Sequence, residues 1–130
     1  ILKEYNRDSF IISTKVGRSS PVISEMFDFS YESIKRSTDE SLKRLGLDCV
    51  DILFAHDVEF APDPNLIVKE TIPALNDIKN MRKTKYIGIA GYSLSYLRDV
   101  IMSSIIELDF VITYSRYVIF DESLNEYLPF

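Results

Sequence analysis

Two side chains that could do chemistry follow short apolar runs of this 130-residue chain. Lys15 comes directly after residues 10–14, and His56, the only histidine, comes directly after residues 49–55. Both runs have the length and composition of buried β-strands. If these strands are parallel, Lys15 and His56 lie at one edge of a sheet, where α/β folds gather their active-site groups. The residues alone therefore predict an active-site rim and no particular reaction.

These residues also have simpler interpretations. A lysine at a strand end is usually solvated, and a lone histidine after an apolar strand is more often hydrogen-bonded in a core or rim. Asp57 and Glu59 are interpreted as loop acids, and Cys49 as a small apolar filler. One histidine beside these two acids lacks the ligand spacing of a zinc site, so no metal is expected. A Ser–His–Asp hydrolase is disfavoured because the Gly-x-Ser-x-Gly elbow is missing.

The segments that must position Lys15 and His56 alternate between strand and helix patterns. Short apolar runs predict strands at residues 10–14, 49–55, 86–90 and 109–114. Amphipathic spacing predicts helices at residues 30–45, 67–81, 93–105 and 121–127. In the first helix, Ser30 suits the N-cap and Gly46 the C-terminal stop. Pro73 is tolerable only if the second helix starts near Thr71 or bends. Apolar strands joined by helical crossovers predict an α/β fold with a parallel sheet.

Two architectures fit this alternation: a four-stranded doubly wound sheet, or half of an eight-stranded (β/α) barrel. A complete barrel takes about 250 residues, roughly twice this chain. A doubly wound sheet should carry a glycine-rich phosphate loop, and the chain contains neither GxGxxG nor GxxxxGK[ST]. Half a barrel is therefore the better interpretation.

Charge and composition exclude several classes of partner. The formal net charge of −5 argues against a broad electrostatic contact with nucleic acid or anionic lipid. No apolar run approaches the roughly 18–20 residues needed to span a bilayer. The single cysteine favours a reducing compartment, and the first residues do not resemble a signal peptide, so a cytoplasmic location is expected. A start without methionine suggests a fragment or a processed chain.

Several motifs, in order along the chain, resemble those of the aldo-keto reductases. They are Ser13-Thr14-Lys15-Val16-Gly17-Arg18, residues 37–48, His56-Asp57-Val58-Glu59-Phe60, residues 70–75 and residues 86–92. The motif that begins at His56 narrows the resemblance to the branch that contains L-galactose and D-arabinose dehydrogenases. Because the resemblance covers essentially residues 1–130, the chain is interpreted as one central piece of an aldo-keto reductase domain.

The resemblance implies a (β/α)8 barrel of which this chain supplies about units three to six. Family members transfer hydride between NAD or NADP and a sugar lactol, an aldose or another carbonyl compound, without a metal. Of their catalytic Asp, Tyr, Lys and His, Lys15 and His56 match the last two, and the other two should lie upstream. An ammonium at ~4 Å from a phenolate contributes about 4 kcal/mol at an effective dielectric near 20. Lys15 would thus lower the pKa of the tyrosine, and His56 would orient the substrate oxygen.

The chain departs from the family pattern at its cofactor positions. Many members have Ser-Asn after the fifth strand to hold the nicotinamide carboxamide, and a Gln after the sixth. Here Ala90-Gly91 and Thr113-Tyr114 stand there, so Gly91, Thr113 and Tyr114 are expected to contact the cofactor. The choice between NAD and NADP cannot be predicted from this chain, because in such barrels the segments that bind the phosphates and adenosine lie beyond the position of Phe130. The departures leave an alternative open: a non-catalytic regulatory or binding protein that keeps the barrel.

Half a barrel leaves open strand edges and exposes side chains that opposite strands should cover. The 130-residue piece by itself is therefore expected to be inactive, and to aggregate or self-associate.

Overall fold

The computed structural model describes residues 4–128, which form a sheet backed by helices. The strands are β1 (Ser13–Val16), β2 (Val50–Ala55), β3 (Thr84–Gly91) and β4 (Phe110–Thr113). The helices are α1 (Tyr31–Leu45), α2 (Pro64–Leu66), α3 (Ile72–Asn80) and α4 (Leu94–Ser103). No helix in this described part is long and apolar enough to cross a membrane.

Neighbouring strands all pair in parallel, in the order β1-β2-β3-β4. The chain thus advances through the sheet one strand at a time and never reverses. A doubly wound sheet reverses at a switch point, and its helices cover both faces. Right-handed crossovers without a reversal place the helices on one face, as in a (β/α) barrel. The observed order therefore favours the barrel over the doubly wound alternative.

The hydrophobic core lies between the helices and one face of the sheet. The strand residues Leu53, Ala55, Ile87 and Ile89 in this core are fully buried. Helical residues that pack in the same core are Ile34, Leu42, Ile72, Leu75, Ile78, Leu97 and Val100. Because side chains alternate along a strand, the residues between these point away from the helices.

Helix α1 ends as its sequence predicts and begins differently in detail. Gly46 adopts the left-handed conformation, at φ 68°, and its N–H donates to the carbonyl groups of Leu42 and Lys43. Ser30 occupies the predicted N-cap position, but its hydroxyl makes no cap hydrogen bond. It donates instead to Asp28 Oδ1 at 2.7 Å. The helix boundary is therefore fixed at its C-terminal end by the glycine.

Pro73 is accommodated by a local change of helix type. Between α2 and α3 the chain forms a π-helical segment, Ile67–Thr71, and Pro73 lies in the first turn of α3. A proline inside an α-helix removes a hydrogen bond and crowds the preceding turn. The wider π turn directly before it relieves that conflict. The helix predicted at residues 67–81 thus exists, but it starts earlier and changes pitch.

Strand β1 is displaced from its predicted position because a buried carboxylate competes for its backbone. The sequence predicts a strand at residues 10–14, whereas the strand begins at Ser13. Asp51 Oδ2 accepts the Ile12 N–H at 2.9 Å and also pairs with Arg7 at 2.7 Å. Asp51 Oδ1 pairs with Lys85 at 2.8 Å. Burial alone would raise the pKa of Asp51, but these hydrogen bonds outweigh burial and lower it to about 2. Lys15 consequently lies within β1 and not after it.

Two other predicted boundaries also shift. Strand β4 is shorter than the predicted residues 109–114, and the predicted helix at residues 121–127 is only a 3-10 turn at Ser123–Glu126. In β4 the first three residues are exposed and the fourth is half-buried. Strand β4 lies at the edge of the described sheet and pairs only with β3, so fewer contacts favour a longer strand.

The face of the sheet opposite the helices is apolar and partly open. The ring of Phe110 meets the rings of Tyr86 and Phe54 edge to face, at centroid distances of 5.6 and 6.5 Å. Tyr86, Phe110 and Ile112 remain 46%, 42% and 38% exposed. In a closed barrel this face lines the interior, where the opposite strands cover it. Within residues 4–128 no element covers it, because the helices all pack on the other face.

We expect the 130-residue chain by itself to self-associate through this apolar face. Sedimentation velocity should detect species larger than the 15.0 kDa monomer at micromolar concentration. Ile112→Lys should weaken the association, since it places a charge on that face. Ile105→Lys is the control, because Ile105 is fully exposed outside the sheet. A monomer that unfolds cooperatively would contradict the expectation.

Candidate active site

Lys15 and His56 lie on the same face of the sheet at its carboxyl end. Lys15 pairs with Phe54 in the parallel register, and the N–H of His56 donates to the Val16 carbonyl at 2.8 Å. Side chains two residues apart share a face, so His56 follows Phe54 on the side of Lys15. The ammonium of Lys15 lies 5.9 Å from the centre of the Phe54 ring. The structure thus brings the two predicted residues together on the open face.

The environment of His56 favours the neutral imidazole. Burial lowers the pKa of His56, and the positive charges of Lys15 and Arg18 lower it further. The carboxylates of Asp57 and Glu59 act in the opposite direction without reversing the shift. The side chain remains 31% exposed, so it can still reach a ligand at the rim.

Asp57 lies in a loop, as its sequence context predicts, but its side chain is buried. Its backbone is left-handed at φ 54°. Its Oδ1 lies 3.4 Å from His56 Nε2, and its Oδ2 lies 3.9 Å from a guanidinium nitrogen of Arg18. A buried carboxylate at this distance ties the loop that carries His56 to the loop after β1. The signal available in the sequence was its position directly after His56 at a strand end.

Glu59 is also half-buried and bridges two loops. It belongs to the 3-10 turn Val58–Phe60 after β2, and its Oε1 accepts the backbone N–H of Tyr92, which follows β3. Its Oε2 is buried and has no hydrogen-bond partner among the described residues. Glu59 therefore holds the loop after β2 against the end of β3.

Gly91 leaves room for this contact. A Cβ atom at position 91 would lie 3.1 Å from Glu59 Cδ and closer still to Oε2. The carboxylate of Glu59 therefore fills the space that a side chain at position 91 would occupy. Gly91 itself offers no polar side-chain atom to a ligand.

The other two predicted cofactor residues, Thr113 and Tyr114, lie on opposite sides of the sheet. Thr113 lines a groove of about 430 Å³ on the helix side of the sheet, and its hydroxyl is buried without a partner among the described residues. The other groove residues are mostly apolar: Leu94, Leu97, Ile101, Met102, Val111, Leu124, Tyr127 and Leu128. Tyr114 instead packs its ring against Tyr92, at a centroid distance of 5.4 Å. Tyr114 thus lies at the rim of the open face, and Thr113 lies on the helix side of the sheet.

Comparison with known proteins identifies the family. The model of the aldo/keto reductase family matches residues 1–128. The chain belongs to the aldo/keto reductase family. Its relatives include L-galactose dehydrogenase of Arabidopsis thaliana, at 42% identity over 127 residues, or 95% of this chain and 38% of that protein. D-arabinose 1-dehydrogenase of Saccharomyces cerevisiae is 34% identical over 94 residues, or 72% of this chain and 27% of that protein.

Solved structures of the family confirm the fold. An aldo-keto reductase of Brucella melitensis superposes with a TM-score of 0.67 at 28% identity, over 83% of this chain and 38% of that one. An aldo-keto reductase of Bacillus halodurans superposes with a TM-score of 0.69 at 26% identity, over 87% of this chain and 37% of that one. The chain thus spans less than half the length of the proteins it matches. The predicted architecture, a parallel α/β sheet with helices that forms part of a larger (β/α) barrel, is confirmed.

The rim of this aldo/keto reductase chain exposes two aromatic rings, and the residues that the structure describes contain no cluster of metal ligands. Tyr92 and Tyr114 are 45% and 65% exposed, so their rings are open to a ligand. Among residues 4–128, no group of three or more His, Cys, Asp or Glu side chains could hold a metal ion. The exposed aromatic pair is chemically suited to a flat heterocycle.

The contact between Glu59 and Gly91 can be tested by measuring the stability of variants of the whole protein. Gly91→Ala should lower the free energy of unfolding by about 1–3 kcal/mol, because the methyl group overpacks against the carboxylate. In a Glu59→Ala background the same change should cost much less, since the clash is gone. Thermal and urea unfolding of the two single variants and the double variant measure this.

The matched control is Glu107→Ala, which removes an exposed carboxylate elsewhere and should leave the cost of Gly91→Ala unchanged. Strictly additive effects of Glu59→Ala and Gly91→Ala would contradict the close contact.

Proposed function

We propose that the whole protein is an NAD(P)-dependent oxidoreductase that acts on a sugar lactol, an aldose or a related carbonyl compound. Residues 1–130 would supply the central part of its catalytic barrel. The observation that carries the proposal is the placement of Lys15 and His56 on one face, at the carboxyl ends of adjacent parallel strands. Similarity to two sugar dehydrogenases supports the substrate class.

Lys15 acts through electrostatics in this proposal. Its side chain is exposed and lies on the open face of the sheet, directed across the Phe54 ring. A positive charge lowers the pKa of a nearby phenol, because it stabilises the phenolate. A tyrosine from the part of the protein outside this chain could then exchange a proton with the substrate oxygen near neutral pH.

His56 orients the substrate oxygen. A neutral imidazole carries one donor and one acceptor nitrogen, so it can direct a hydrogen bond to a carbonyl or hydroxyl oxygen. Its lowered pKa keeps it neutral near pH 7. Asp57 and Arg18 limit how far the His56 loop can move, because they pair across the ends of β1 and β2.

A nicotinamide cofactor, when bound, supplies or accepts the hydride. The residues described here contribute position and charge around it, and the choice between NAD and NADP is left open. We place the protein in the cytoplasm, because residues 1–130 contain a single cysteine, which favours a reducing compartment.

Replacement of Lys15 should disable the reaction with little effect on folding. In the whole protein, Lys15→Met should lower kcat for oxidation of L-galactose or D-arabinose by about 10²–10⁴-fold, because the tyrosine loses its activating charge. Absorbance of the reduced nicotinamide measures turnover. Lys43→Met, an exposed lysine on α1, is the matched control and should keep wild-type kinetics. Turnover by Lys15→Met at the wild-type rate would refute the assignment, and a wild-type protein inert with sugars and simple aldehydes would refute the enzyme function.

The pH dependence follows from the lowered pKa of His56. Because the neutral imidazole persists below its usual pKa of about 6.5, kcat/KM should stay flat from pH 7 through 6.5 and fall at lower pH. Arg18→Gln removes a charge that lowers the pKa, so the acidic limb should move to higher pH. The control is Arg82→Gln, because Arg82 is exposed and precedes the start of β3, at the opposite end of the sheet from His56. A limb that moves to lower pH in Arg18→Gln would contradict this role of His56.

A further inference from the structure

The loop after β1 folds back on itself beside the end of the strand. Arg18 and Phe27 pair in an antiparallel bridge across this loop. At its base Gly17 adopts φ 98°, and a Cβ atom there would lie 2.7 Å from the ring of Phe29. Because Phe29 is buried in the core, the base of the loop is packed against the core, and the bridge then fixes where Arg18 leaves the sheet.

Three phenylalanine rings join this loop to the loop that carries His56. The ring of Phe27 stacks on that of Phe29, with centroids 5.8 Å apart and an angle of 11°. It also stacks on the ring of Phe60, at 4.8 Å and 7°. Phe60 lies in the 3-10 turn Val58–Phe60 after β2 and is 55% exposed. The stack therefore begins in the core and ends in ring surface that is open to a ligand.

The guanidinium of Arg18 is held in place without using its hydrogen-bond donors. Its central carbon lies 5.8 Å from the centre of the Phe27 ring. Its pair with Asp57 Oδ2, at 3.9 Å, is longer than a hydrogen bond. Among residues 4–128 the guanidinium donates no hydrogen bond, and 46% of the side chain is exposed. A planar fork of five N–H donors is thus available to a ligand.

A single carboxylate separates Arg18 from His56. Oδ1 of Asp57 lies 3.4 Å from His56 Nε2, and its other oxygen faces Arg18. A ligand of the size of a sugar that reaches the imidazole therefore also comes close to the guanidinium. The same carboxylate repels an anionic group and partly neutralises the cation. Neutral hydroxyl groups, which accept hydrogen bonds without carrying charge, therefore suit this pair better than a second carboxylate or a phosphate.

We propose that Arg18 and Phe60 determine the specificity of the whole protein for sugars. Arg18 donates a hydrogen bond to a substrate hydroxyl group away from the reacting carbon, and the ring of Phe60 packs against the C–H groups of the sugar ring. Both residues contact Phe27, so the donor and the ring surface are held together beside His56. The inference rests on the proposed function and names residues that recognise the remainder of the substrate.

Monodeoxy analogues of the substrate test the hydrogen bond from Arg18. The assays use the whole protein with L-galactose or D-arabinose at about pH 8, where the imidazole is neutral in every variant. For the wild type, removal of the hydroxyl that Arg18 contacts should lower kcat/KM about 10- to 100-fold. In Arg18→Met the intact sugar should already show this loss, and the same deoxy analogue should cost less than about threefold more.

Arg98→Met is the matched control, because Arg98 on α4 has the same exposure, 46%, and the same 5.8 Å distance to a ring, that of Tyr127. It should keep the wild-type discrimination among the sugars. Phe60→Ala should raise the KM of each sugar about three- to tenfold, whereas Phe60→Tyr, which keeps the ring, should not. Phe120→Ala, which removes an exposed ring after β4, is the control for Phe60→Ala.

Unchanged discrimination in Arg18→Met, with every rate lowered alike, would mean that Arg18 only positions His56. That result would overturn the inference and leave the proposed function intact. A higher Kd for the dinucleotide in Arg18→Met, with unchanged discrimination, would overturn it in the same way, and an unchanged KM in Phe60→Ala would overturn the role of the ring. A wild-type protein that turns over neither sugars nor other carbonyl compounds would overturn the inference and the proposed function together.

Discussion

The parallel register of four neighbouring strands is the constraint on which the site depends. Lys15, Phe54, Gly88 and Phe110 pair across the sheet at one level. Strand alternation then fixes which side chains share the open face. A shift of one residue in any strand would turn its contribution toward the helices. The chemistry of the rim is thus set by packing of the core on the opposite face, because that packing fixes the register.

A second constraint joins the loops above the strands. Asp57 ties the end of β2 to Arg18 after β1, and Glu59 ties it to Tyr92 after β3. Two acids within the same short loop therefore link three strand ends. Gly91 suits this arrangement, since a Cβ atom there would lie 3.1 Å from Glu59 Cδ and the carboxylate would have to shift. Glu59 thus occupies space at position 91, where many family members carry a side chain.

Local patterns predicted those features whose causes are local. Helix α1 follows its amphipathic spacing and its glycine stop, and His56 follows an apolar strand. The predicted start of β1 was wrong, because Asp51, Arg7 and Lys85 meet only in the folded chain. The burial of Asp57 and Glu59 depends on neighbours from other loops in the same way. Thr113 and Tyr114 were predicted together because both stand where many family members have a Gln, whereas adjacent strand residues point to opposite faces.

The open face links stability and catalysis. Tyr86, Phe110 and Ile112 expose apolar surface on the side that carries Lys15 and His56. Covering this surface with further strands would remove water from both groups. Charge interactions strengthen as the effective dielectric falls, so the effect of Lys15 on a neighbouring phenol would grow with closure. Desolvation would lower the pKa of His56 further and favour its neutral form. The same closure that stabilises the barrel would therefore also strengthen the electrostatic effect of Lys15 and keep His56 neutral.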